Sequence, residues 1–252
     1  MRSARGLAMC ATMVAAICVG WGADRARAEE PPVPDAIVPL ALVLLTDVSY
    51  SVDANEYVLI KEGYRMAFAD ADVIATIEAA GGVAVTYVEF SDRNAVETVL
   101  DWRVLRGKAD AVAFGLSIAA APRTSAGNTA LEAGLREATR KLTESPFPEA
   151  RMVIDVASDL AWDGGRAAAS RDEAVDAGVT INGLPIIEQT RVASIDGRLA
   201  FPDYQPPDGI VGFFAREVIG GNGAFLVEAR DFHDFGDALR RKLLRELMIA
   251  KN

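Results

Sequence analysis

Asp47, Ser49 and Ser51 stand at alternate positions in the run Leu44-Leu45-Thr46-Asp47-Val48-Ser49-Tyr50-Ser51. The run joins an apolar segment to a helical pattern. Alternate residues of an extended turn point the same way, so one carboxylate and two hydroxyls can meet at one point. Hard oxygen donors of this kind suit Mg²⁺ or Mn²⁺, and Mg²⁺ tends to keep waters and few protein carboxylates. Two further groups have types that fit. Thr129 opens a helical stretch in Gly127-Asn128-Thr129-Ala130-Leu131, and Asp159 closes Asp155-Val156-Ala157-Ser158-Asp159 just past an apolar run. Each residue alone also has a plain structural reading, because Ser, Thr and Asp before a helix cap its free N–H groups. Asp53 with Glu56 already supplies a capping box for the first helix. What points to a site is the joint order, each group at a strand or helix end.

The elements that must bring them together follow from periodicity. Residues 38–45 form a nearly unbroken apolar run, as expected of a strand buried on both faces of a parallel sheet. Further strands are expected over 83–90, 95–102, 151–156, 179–187 and 224–229. Helical patterns occupy 53–69, 108–121, 130–142, 165–177, 210–219 and 232–248. This alternation predicts a single doubly wound α/β domain over 38–250, with a mainly parallel six-stranded sheet and helices on both faces. The link Ser91-Asp92-Arg93-Asn94 is too short for a helical crossover, which makes 95–102 an antiparallel edge strand. Loops at the carboxyl ends of strands in such a sheet gather into the crevice where ligands bind. In the last helix Phe235, Leu239, Leu243 and Leu247 make an apolar stripe, and Arg240, Arg241, Lys242 and Arg245 are expected on its solvated faces.

The first 28 residues read as a secretory signal peptide: Arg2 and Arg5, an apolar stretch over 7–21, then Ala26-Arg27-Ala28 before Glu29. The apolar stretch falls short of the about 20 residues that a membrane helix needs, so no membrane span is expected in the mature chain. Residues 29–37, rich in proline and acid, read as a flexible leader. The expected location is periplasmic or secreted. The signal peptide holds four of the 26 basic residues and one of the 36 acidic ones; 22 against 35 remain, and the net charge moves from −10 to −13. That field disfavours nucleic acid as a partner. Both cysteines, Cys10 and Cys18, leave with the signal, and His233 is the sole histidine. Thiolate and histidine-rich metal sites, disulfides and cysteine nucleophiles are thereby excluded.

The order of these motifs resembles the von Willebrand factor A domain with its metal-ion-dependent adhesion site. More narrowly it is similar to a branch of secreted bacterial proteins of unknown function in that superfamily, through Val153-Ile154-Asp155-Val156, Thr180-Ile181-Asn182-Gly183-Leu184 and Gly220-Gly221-Asn222-Gly223-Ala224-Phe225. The likeness runs from about residue 38 to 247. It implies that Ser49, Ser51 and Thr129 approach the ion directly, and that Asp47 and Asp159 hold it partly through water. It also implies an open coordination position for an Asp or Glu of a partner protein, in a binding domain and not an enzyme. The family usually has glycine after its last aspartate, and Leu160 stands here, so Asp155 is an alternative to Asp159.

Two other functions are weighed. A phosphohydrolase of the haloacid dehalogenase kind needs a second carboxylate two residues after the first, and Ser49 occupies that position; a serine does not do that proton work at ordinary pH. A Walker-type nucleotide site lacks its glycine-rich loop with lysine, and a Ser/His/Asp hydrolase would rest on His233, read as a surface residue at a helix start. A solute-binding protein usually has two lobes, whereas one sheet is expected. Export in a bacterial host followed by intact-mass measurement should yield a chain beginning at Glu29; a secreted product retaining residues 1–28 would contradict the signal peptide.

Overall fold

The computed structural model describes residues 37–160, 166–187, 194–195, 198–199 and 208–250. The expected signal peptide and nearly all of the leader lie outside the described residues. The element order is β1 (Leu40–Asp47), α1 (Ala54–Ala69), α2 (Ala71–Ala80), β2 (Val83–Phe90), β3 (Val96–Leu105), α3 (Lys108–Ala120), α4 (Leu131–Thr143), β4 (Arg151–Ser158), α5 (Arg166–Asp176), β5 (Thr180–Pro185), the short pair β6 (Ser194–Ile195) and β7 (Arg198–Leu199), α6 (Gly209–Phe213) and α7 (Phe235–Ala250). A π-helical turn, Phe214–Val218, continues α6.

The main sheet has the order β3-β2-β1-β4-β5. β1 pairs in parallel with β2 on one side and β4 on the other, and only the β2–β3 hairpin is antiparallel. The chain therefore leaves β1 towards one edge and returns to β4 at its other flank, which makes the β1–β4 carboxyl ends the topological switch point. Every residue of β1 is buried. Its alternation serves two cores: Leu40, Leu42 and Leu44 join Tyr64, Phe68, Phe114, Phe235 and Leu239 on one face. Ala41, Val43 and Leu45 join Leu131, Leu135, Phe213 and Phe214 on the other.

Five strands, not six, make this sheet. The expected sixth strand, 224–229, follows the outer edge of β5 but touches it only at isolated bridges, Gly183 with Leu226 and Ile186 with Ala229. A regular ladder is interrupted because the Asn182 side chain takes the Phe225 amide at 2.8 Å, as a backbone carbonyl otherwise would. Helix α2 was not expected. Asp70 ends α1 and its carboxylate caps α2 through the amides of Asp72 and Val73.

The stripe Phe235, Leu239, Leu243 and Leu247 is buried, as expected. Lys242 corrects the reading of the basic face: it is fully buried. Its ammonium lies 2.6 Å from Asp155 and 3.1 Å from Glu246, while Asn182 donates to Glu246 at 2.6 Å. Burial pushes Asp155 up to about 6, against the pull of Lys242. A charge inside a low-dielectric core persists only with its partners. Lys242→Met should therefore cost about 3–5 kcal/mol by leaving the buried Asp155 without its cation, while Glu246 keeps Arg151 at 3.4 Å. Urea denaturation measures it, and a loss below about 1 kcal/mol would contradict the buried network.

Candidate functional site

Asp47 is the last residue of β1 and 1% exposed. Both carboxylate oxygens are engaged: Oδ1 accepts the Ser49 amide at 2.9 Å, and Oδ2 accepts the Ser158 hydroxyl at 2.5 Å. The first bond bends the chain immediately after the strand, and the second ties it to the end of β4. Burial pushes the Asp47 carboxyl above its ordinary range, against these hydrogen bonds and the charge of Arg123.

The bend brings Ser49 and Ser51 together, with hydroxyl oxygens 3.0 Å apart. Thr129 donates to Ser49 at 2.9 Å, and Ser51 donates to Asp159 Oδ1 at 2.7 Å. Ser51 has one hydroxyl hydrogen, and it is spent on Asp159; Ser49 must then donate to Ser51. The four groups form a directed chain, Thr129 to Ser49 to Ser51 to Asp159, that ends on a carboxylate. Ser49 is buried, whereas Ser51, Thr129 and Asp159 are half-buried, so the chain opens towards solvent.

All five residues expected from the sequence thus converge. Capping does not account for them. Asp53 and Glu56 supply the full capping box of α1; the N-cap position of α4 is Ala130, which has no side-chain oxygen, and the hydroxyl of the preceding Thr129 is turned to Ser49. Asp155 lies elsewhere, bound to Lys242 on the α7 side of the sheet. Leu160 leaves Asp159 in place: its amide donates to Ser158 Oγ at 3.0 Å, and its side chain packs on the second core. His233 is exposed.

A six-coordinate hard cation sets its own spacing on the oxygens around it. An octahedron with metal–oxygen bonds of about 2.1 Å has edges of about 3.0 Å. The Thr129–Ser49 and Ser49–Ser51 separations, 2.9 and 3.0 Å, match such edges. The residues fit the ion. Among the described residues no group of three His, Cys, Asp or Glu is placed to hold a metal; a site here has to use hydroxyls.

Three supports escaped sequence reasoning. The Arg123 guanidinium donates to the carbonyls of Val48, Ser49 and Val52 at 2.7, 2.8 and 2.9 Å, fastening the loop that carries both serines. Glu89, wholly buried on β2, accepts from Lys61 at 2.9 Å, from Tyr57 at 2.8 Å and from the amide and hydroxyl of Thr124 at 3.0 and 2.9 Å. It thereby anchors the segment leading to Thr129. Ser158 holds Asp47. Backbone acceptors and distant partners leave no local pattern, although the serine at the end of β4 was visible as a polar residue beside Asp159.

Comparisons with known proteins agree with the architecture. The family model described as "Protein of unknown function (DUF1194)" matches residues 37–251. No curated protein matches the chain. Solved structures do. The pilus adhesin SpaC from Lactobacillus rhamnosus GG, in its open conformation, aligns with TM-score 0.58 at 14% identity over 85% of this chain and 30% of its own. Proximal thread matrix protein 1 from the mussel byssus, solved with a zinc-occupied metal-ion-dependent adhesion motif, gives TM-score 0.54 at 16% identity over 85% of this chain and 47% of its own. The SpRpn10 VWA domain gives 0.52 at 14% identity over 81% and 94%. The fold is that of a von Willebrand factor A domain. The chain spans about a third of the adhesin and about half of the mussel protein.

Gly127 accepts the Tyr50 amide at 2.8 Å, linking the two loops of the site, and a Cβ there would stand 2.0 Å from the Asp92 carboxylate. Asp92 holds the next amide, that of Asn128, at 3.0 Å. Gly127→Ala should displace Thr129 and destabilise the fold by about 1–3 kcal/mol; thermal and urea unfolding indistinguishable from wild type would contradict this packing.

Proposed function

The chain belongs to the DUF1194 family of proteins of unknown function, and we propose that it is an exported, metal-dependent protein-binding domain of the adhesion type. Asp47, Ser49, Ser51, Thr129 and Asp159 hold Mg²⁺ or Mn²⁺. The open position of the ion takes an Asp or Glu side chain of a partner protein. The observation that carries this reading is the hydrogen-bonded chain Thr129–Ser49–Ser51–Asp159 braced on Asp47, in which the Thr129–Ser49 and Ser49–Ser51 oxygen spacings fit the edges of an octahedral shell.

The donor set favours binding over turnover. A cation whose near neighbours are mostly neutral hydroxyls stays electrophilic and attracts an outside carboxylate. Around it this chain's residues orient and do not transfer protons: Ser49 stands where a phosphohydrolase would need its acid, and both oxygens of Asp47 are committed to Ser49 and Ser158. Zinc in the mussel protein's site supports a divalent ion, while the lack of histidine and cysteine donors here turns preference to harder cations. Export is proposed from the signal-peptide pattern of residues 1–28, and no described helix is long and apolar enough to cross a membrane.

Titration calorimetry should detect Mg²⁺ and Mn²⁺ binding in the wild-type chain. Asp47→Ala should abolish it, and Thr129→Ala, a half-buried change, should weaken it about 10- to 100-fold. Undiminished affinity in both variants would refute the placement. Capture from the exported fraction should yield a partner in Mg²⁺ that EDTA releases.

A further inference from the structure

A groove leaves the site on the side of Thr129. Its first part, about 540 Å³, is lined by Asp92, Arg93, Asn94, Asn128, Thr129 and Arg166. Its second part, about 860 Å³, shares Arg93, Asn94 and Arg166 and continues along α4 past Glu132 to Arg136 and Arg140. In a chain of net charge −10, the groove sets four arginines against three acids, Asp92, Glu132 and Glu137, a small local excess of positive charge.

The arginines are not equivalent. Arg136 pairs with Glu173, and Arg140 with Glu137 and Glu144. Arg93 is held at one point only. Its Nε donates to Glu132 Oε1 at 3.0 Å, and among the described residues its terminal nitrogens make no hydrogen bond. The side chain is 67% exposed. Arg166 approaches the same Glu132 oxygen at 3.3 Å, so two guanidinium groups share one carboxylate oxygen. Glu132 is itself 3% exposed, with its second oxygen buried and without a hydrogen-bond partner among the described residues. A buried carboxylate gripping Nε fixes the guanidinium plane and leaves the outer fork of Arg93 facing the groove. Planar forks of this kind bind carboxylates with two parallel hydrogen bonds.

Arg93 is also tied to the site. Its neighbour Asp92 holds the Asn128 amide, one residue before Thr129. We infer that the partner segment is acidic beyond its metal-bound residue, and that Arg93, positioned by Glu132, takes a second carboxylate of that segment in the groove. This rests on the adhesion reading above and specifies the chemistry of the partner: an extended peptide with two acids a few residues apart.

The test uses the whole chain and short fluorescent glycine–serine peptides carrying one glutamate, or two glutamates separated by two to four positions, a reach of roughly 7–13 Å in extended chain. Polarisation is read in Mg²⁺ and in EDTA. The second glutamate should tighten binding about tenfold, as a charge-assisted contact does. Arg93→Gln should erase that gain while leaving the one-glutamate peptide and the Mg²⁺ titration unchanged. No gain from the second glutamate at any spacing, or a gain that survives in Arg93→Gln, overturns the inference. A gain that depends on Arg93 but is the same in Mg²⁺ and EDTA keeps this groove and overturns the metal reading instead.

Discussion

Asp47 ends the central strand with a carboxylate that water scarcely reaches, and an ionised group in that position must find donors inside the protein. It finds two, and each shapes the molecule. The Ser49 amide can reach Oδ1 only if the backbone turns at once after β1, and that turn sets Ser49 and Ser51 side by side. The Ser158 hydroxyl can reach Oδ2 only where β4 ends level with β1, which the parallel register of the two strands provides. Asp159 then follows Ser158 into contact with Ser51. One buried charge at the switch point thus organises two loops that are distant in sequence.

The remaining loop is organised by a second buried carboxylate. Glu89 meets Lys61 and Tyr57 from α1 and Thr124 from the segment after α3, so the approach to Thr129 is pinned to the sheet. Arg123 closes the arrangement from outside by collecting three carbonyls of the serine loop. Groups ordered during folding need not be ordered again when a ligand arrives, and preorganisation of this kind strengthens binding without adding contacts. Across the sheet, Lys242 enters the interior from α7 with two carboxylates beside it, Asp155 and Glu246, so its charge too is buried together with partners.

Much of this was legible because it is local. The unbroken apolar run of β1, the four-residue link that forces β3 to turn back, and the Asp53–Glu56 spacing each specify their structure within a few residues. That Asp47, Ser49, Ser51, Thr129 and Asp159 come together was readable from the set, since polar groups at the ends of elements on one side of a doubly wound sheet have few places to go. What escaped depends on partners far away in the chain. Lys242 looked like part of a solvated basic face because Asp155 lies on another element. Arg123 binds backbone carbonyls, which carry no residue signature. The segment 224–229 has the composition of a strand, but the Asn182 side chain intercepts one of its amides, and pairing with β5 breaks into isolated bridges.

The central claim is that these oxygens enclose a divalent cation. The most direct measurement is a crystal of the whole chain grown in Mn²⁺, with anomalous scattering recorded at the manganese edge. A cation held by these residues gives a single strong peak about 2.1 Å from the hydroxyl oxygens of Ser49, Ser51 and Thr129. No peak there, with the Thr129–Ser49–Ser51–Asp159 hydrogen bonds intact in saturating Mn²⁺, would contradict it.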